Sequence, residues 1–246
     1  MDYGDAQYLP VAPPVFFLLA GLVGLLLVLV QLRILQFVYE QLGVSSGAAV
    51  LLLLASLLGG YVNIPLATLG AEPVLDAREI YYYGVPYVVP RLSGAPPVLL
   101  AVNVGGAIIP AALSFYLLSH NALWGRGALA MAGVAAVAYA YAEPVRGLGV
   151  ALPIFVAPLA ATVIAALISW RDGWRSFAPL AYAGGSMGVL VGADLLNFPW
   201  LRGIGAPVLS IGGAGTFDGI FMTGVLSVLL ASLIGGRRRQ ATQSQI

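Results

Sequence analysis

Apolar runs of roughly 20 residues recur along this chain from one end to the other. Each is long enough to cross the ~30 Å hydrocarbon layer of a bilayer as a helix. Of the 246 residues, 60% are hydrophobic and only 9% are charged, whereas an ordinary soluble domain has about a quarter of its residues charged. The mean hydropathy is +0.95. The sequence therefore predicts an all-α fold: a polytopic transmembrane helix bundle forming a single integral membrane domain over residues 1–246.

Seven spans follow from the apolar runs, at about 13–38, 44–68, 96–119, 123–143, 150–170, 176–197 and 208–234. The segment Met1–Pro10 carries Asp2 and Asp5 instead of a basic region, and the run Val15–Val30 is long. It reads as a retained first span, not a cleaved signal. Arginines set the orientation. Arg33, Arg126, Arg171, Arg175 and Arg237–Arg239 fall at one set of span ends, and Arg78, Arg91, Arg146 and Arg202 at the other. This bias, with the arginine triplet directly after the last span, places the C-terminus in the cytoplasm and the N-terminus outside. Residues 235–246 are then a cytoplasmic tail, and about 70–95 an external loop. That loop, with tyrosines on both sides of Gly84-Val85-Pro86, predicts a short β-hairpin or an interfacial flap, because tyrosine favours the membrane–water boundary.

The formal net charge of +1 provides no field for nucleic acid. Membrane lipid is the partner implied, with a membrane-embedded peptide or small molecule as the ligand class. Cysteine is absent, which removes disulfides and thiolate chemistry. The single histidine, His120, lies towards the cytoplasmic side, so no metal site is predicted. GGAGT at 212–216 lacks the lysine that a phosphate-binding loop requires, and no cofactor is predicted.

The intramembrane polar residues gather at one depth. Asn63 nears the outer end of span two, and Asn103 lies about two turns into span three. Glu143 ends span four, Asp194 and Asn197 end span six, and Asp218 sits early in span seven. A charge at bilayer depth costs about 2.5–3.5 kcal/mol on insertion scales, so such residues face a cavity or each other. Pro65, Pro110, Pro153, Pro158 and the run Gly212–Gly215 mark broken helices near the outer face, tolerated only against protein or water. Quieter roles compete. Asn63 and Asn103 can bridge helices, and Glu143, beside Pro144 and near Arg146, can be a solvated loop residue.

Asp194 and Asp218 stand on consecutive antiparallel spans joined by a short connection. Facing each other in a low dielectric, they would share a proton. Such a pair can activate water for peptide hydrolysis, and it can equally carry a proton or cation. Asn63, Asn103, Glu143 and Asn197 are the candidate substrate-binding residues.

The segment GAGTFDGIFMTGVLSVLLA resembles the intramembrane aspartyl proteases of the presenilin and signal-peptide-peptidase type. Gly215 fits the first glycine of that family's motif, whereas Phe217 occupies the place of the second. NIPL at 63–66, VNVGGAIIP at 102–110, GVALP at 149–153, GADLLN at 192–197 and SIGGAGTFDGIF at 210–221 together resemble a second family, of archaea and bacteria. This is domain of unknown function 1614, to which no activity is attached. Three functions stay open on these residues: an aspartyl hydrolase with Asp194 and Asp218 as catalytic pair, a proton- or cation-coupled transporter, and a non-catalytic scaffold.

Overall fold

A run of Leu, Val and Phe with no breaker after its first turn makes the longest helix, α1 (Pro13–Gln41). Pro13 and Pro14 are tolerated there because first-turn amides have no intrahelical partner. The chain turns at Gly43, whose N–H donates to the Glu40 carbonyl at 3.0 Å. It re-enters a helix at α2 (Ser46–Gly59), where the Ser45 hydroxyl caps the Ala48 amide. A computed structural model describes residues 13–69, 73–82, 85–94, 98–145, 149–172, 174–201, 208–213 and 219–243.

After α2 the chain becomes extended. The strands are β1 (Asn63–Leu69), β2 (Pro73–Tyr82), β3 (Val85–Gly94) and β4 (Val98–Asn103). A π-helical turn, Val104–Ile108, leads into α3 (Ile109–His120), followed by α4 (Trp124–Tyr141). A small hairpin of β5 (Glu143–Val145) and β6 (Gly149–Ala151) precedes α5 (Val156–Ser169) and α6 (Phe177–Val189). Residues Leu190–Leu195 continue α6 as a π-helical segment. The chain ends with the short α7 (Phe198–Leu201), β7 (Val208–Ile211) and α8 (Gly219–Gln243).

The molecule is mostly helical, with seven helices of twelve residues or more among the described residues. It is not all-α. Strands β1, β4 and β7 form one sheet in that order, antiparallel between β1 and β4 and parallel between β4 and β7. Residues expected inside spans two, three and seven are therefore partly strand, and the separate β5–β6 hairpin takes the end of span four and the start of span five. The reason is local: Pro65 cannot donate in a helix, and Val98–Asn103 runs into the Gly105-Gly106 pair, which is poor in helix propensity. Pro65 lies on β1 at the sheet edge, beside a register shift, where a missing donor is tolerated. The 70–95 loop contains the hairpin expected of it: β2 and β3 pair from Pro73↔Gly94 to Tyr82↔Val85. The expected tail is partly helical too, since α8 carries the arginine triplet and runs to Gln243.

Helix α6 is the centre of the bundle and packs against α3, α4, α5 and α8. Its closest approaches are made by small residues, beside the buried Phe177, Leu180 and Tyr182. A Cβ on Gly184 would lie 2.8 Å from that of Ala130, and one on Gly188 would lie 2.5 Å from that of Val134. Ala157, Ala161, Ala165, Ala181 and Ala183 are also buried here. Leu159, Val163 and Leu167 form an exposed apolar stripe along α5. Within α1, Ala20–Gln41 is long and apolar enough to cross a membrane, with a mean hydropathy of 2.1. The segments Ser46–Gly59, Val104–His120 and Gly219–Gly235 are apolar but shorter.

Candidate functional site

The three-stranded sheet meets the broken helices at one end of the bundle, and Asn103 sits at that junction. It is fully buried and caps the π-helical turn: its Oδ1 accepts the Gly106 N–H at 2.8 Å. Its Nδ2 donates to the Gly60 carbonyl at 2.8 Å and to Asn63 Oδ1 at 3.1 Å. The side chain thus closes the end of α2 and the start of the π turn together. The close approach requires glycine at 105, because a Cβ there would lie 2.2 Å from the Ser56 carbonyl.

Asn63 stands opposite Asn103 in the β1–β4 register. Its Oδ1 also accepts the Ser210 hydroxyl from β7 at 2.6 Å. One amide oxygen therefore ties the two outer strands of the sheet across the central one. Asn63 itself is exposed, so the buried member of this network is Asn103, for which each lost partner costs about 1–3 kcal/mol.

Asp194 lies in the π-helical segment and is half-buried. Its Oδ2 accepts the backbone N–H of Gly212 at 2.7 Å. Gly212 has φ +92°, and a Cβ there would come within 2.7 Å of the Ala107 nitrogen. Only glycine meets both constraints. A cleft of about 330 Å³ opens beside this pair, lined by Asp194, Gly149, Phe198, Gly213 and all four residues of β7. Side chains alternate across a strand, so four successive lining residues mean that the backbone edge of β7 borders the cleft. The opposite edge of β7 is taken by β4.

Asn197 is buried, and its Nδ2 donates to the Gly192 carbonyl at 3.0 Å. It closes the end of the π-helical segment and does not line the cleft. Glu143 begins β5 and is exposed, paired in register with Ala151. It is not among the cleft-lining residues, although β6 of the same hairpin contributes Gly149 and Val150. Asp218 lies outside the described residues, as do Arg146 and Arg202, so the aspartate pair is represented by Asp194 alone. His120 stacks on Tyr116 within α3, and no group of three or more metal-ligating side chains occurs among the described residues.

The structure thus brings Asn63, Asn103 and Asp194 to one junction, adds Ser210 to them, and gives Gly212, expected only as part of a helix break, the amide that Asp194 accepts. The signal for Gly212 was present, since a Gly-Gly pair marks a turn and glycine is the residue that takes positive φ without strain. Nothing in the sequence separates Ser210 from an ordinary strand serine.

Fold and site together define a mostly helical bundle capped at one end by short strands, with a carboxylate and two asparagines where the two meet. The chain belongs to the family described as Protein of unknown function (DUF1614), whose model matches residues 57–230. Asn63, Asn103, Asp194, Ser210 and Gly212 all fall within that match. No curated protein and no solved structure matches the chain. The likeness to presenilin-type proteases gains no support from these comparisons.

Proposed function

We propose that this is a multi-pass membrane protein whose cleft receives an extended, peptide-like ligand along β7, and that Asp194 acts on it with Asp218 as an aspartyl hydrolase pair. The observation that carries the reading is the backbone edge of β7 running beside the Asp194 carboxylate. An extended peptide adds to such an edge through main-chain hydrogen bonds, which would set its carbonyl groups next to the aspartate. One carboxylate, ionised, takes a proton from the attacking water. The other, protonated, gives a proton to the carbonyl oxygen.

The multi-pass part of the reading is supported by where residues of each size lie. Many Leu, Val and Phe side chains stand exposed along α1, α2 and α5, while Ala and Gly make the closest approaches around α6. A water-soluble bundle buries its large apolar residues, whereas helices in lipid associate through small ones. Seven spans with the C-terminus in the cytoplasm fit this arrangement and the arginine distribution.

The test is cleavage of a panel of hydrophobic peptides by the full chain in detergent, with Asp194→Asn and Asp218→Asn run alongside. Turnover should fall at least 100-fold in each variant while peptide binding persists. Cleavage unaffected by either substitution would remove the hydrolase reading. The alternative of a proton- or cation-coupled transporter draws on the π-helical breaks beside Asn103 and Asp194, a feature of transporter binding sites. It predicts a proton flux in liposomes that Asp194→Asn abolishes.

A further inference from the structure

At the end of the bundle opposite the sheet lies a second cavity, of about 270 Å³. It is an open cleft bordered by the α1–α2 turn, the α3–α4 turn, the start of α6 and the last buried turn of α8, and Gln41, Trp174 and the exposed Asn121 and Arg175 are among its lining residues. Its floor is apolar, made by Leu42, Phe177 and Ala231.

The charges around it are unbalanced in a specific way. The two carboxylates described at this end, Glu40 and Asp172, are both engaged. Glu40 accepts Gln36 Nε2 at 3.0 Å and the Ser46 hydroxyl at 2.7 Å. Asp172 pairs with Arg126 at 2.6 Å and also accepts the Ser176 hydroxyl. Among the described residues Arg175 makes no ion pair. Its guanidinium fork suits phosphate oxygens. The Asn121 amide nitrogen is committed to the Leu117 carbonyl at 2.8 Å, which leaves its oxygen to accept a hydroxyl.

We propose that this cavity binds a phosphate-bearing anion, with Arg175 holding the phosphate, Asn121 accepting a ligand hydroxyl and the apolar floor covering the adjoining carbon chain. In a membrane this chemistry is that of an anionic phospholipid headgroup in the cytoplasmic leaflet. That source rests on the multi-pass reading above, whereas the phosphate contact itself does not.

The experiment is a titration of the full chain in neutral detergent, followed by thermal unfolding and by tryptophan fluorescence, for which Trp174 is a reporter in the cavity. The probes are phosphatidylglycerol, phosphatidylcholine and inorganic phosphate. Phosphatidylglycerol should saturate both signals, and phosphatidylcholine should not. Arg175→Gln should weaken binding about tenfold or more, the effect of one charge-assisted hydrogen bond, while Arg33→Gln leaves it unchanged. Ala231→Phe, which fills the cavity, should abolish binding. Saturation by inorganic phosphate alone, with no response to phosphatidylglycerol, assigns the site to a free anion. Equal response to both lipids, or unchanged binding in Arg175→Gln, overturns the proposal. Release of the chain from cell membranes by alkaline carbonate would sink the multi-pass reading and the lipid source, with the phosphate arm still answering for the site.

Discussion

The Asp194 carboxylate and the Gly212 amide, 2.7 Å apart, join a broken helix to the turn that follows the edge strand of the sheet. This bond orients the carboxylate at the cleft and holds the end of β7 in place. It gives one residue both a structural and a chemical task, and substitutions separate the two. Asp194→Asn keeps an oxygen able to accept the Gly212 N–H, so its cost in unfolding free energy should be below about 1.5 kcal/mol. Asp194→Leu leaves that amide without its acceptor and should cost about 1–3 kcal/mol. Denaturation in mixed micelles measures both, and equal losses would show that the hydrogen bond does not carry the orientation.

Gly212→Ala should be worse than either. The positive φ alone costs about 1–3 kcal/mol for a residue with a Cβ, and the approach to Ala107 adds an overpacking cost of similar size. Gly213→Ala, at φ +73°, should incur a positive-φ cost of the same size. The difference in midpoint between the two variants reads out the close approach.

Asn103→Ala should destabilise the chain by about 2–4 kcal/mol, since it strips the Gly106 N–H and the Gly60 carbonyl of partners in a buried setting. Asn63→Ala should cost less, because Asn63 is exposed on an edge strand and the partners it releases can turn to other acceptors. A double-mutant cycle should give a coupling of about 0.5 kcal/mol or more. Zero coupling would mean that the 3.1 Å contact contributes nothing.

The α4–α6 contact should tolerate no bulk. Gly188→Leu places a side chain where Val134 already stands, and unfolding in detergent should show a loss of about 1–3 kcal/mol or outright misfolding. Val163→Leu, on the exposed stripe of α5, should change stability by less than about 0.5 kcal/mol. If the outward stripe proved the more sensitive, another surface must cover it.

Arg126→Gln should have a small effect, below about 1 kcal/mol, because the arginine is 45% exposed and exposed ion pairs contribute little. Asp172→Ala should cost more, since Ser176 also loses its acceptor. Chemical denaturation of both variants in parallel ranks them.

How much of this was legible beforehand depends on the range of the interaction. The length and spacing of apolar runs made the helices readable, because helix formation and burial are governed by neighbours along the chain. The hairpin of β2 and β3 was readable from its turn residues and tyrosines. The clustering of Asn63, Asn103 and Asp194 near one end followed from counting turns along each run. Apolar composition could not show where a run stops being helical. Val98–Asn103 suits strand or helix equally well, and only pairing with β1 and β7, both distant in sequence, made it a strand. The same holds for Ser210 and Gly212, whose roles exist only because β7 lies beside β4 and the π-helical segment reaches back to it. Local chemistry determined most of the helices and the β2–β3 hairpin. Long-range backbone pairing, which no single segment encodes, decided which side chains meet.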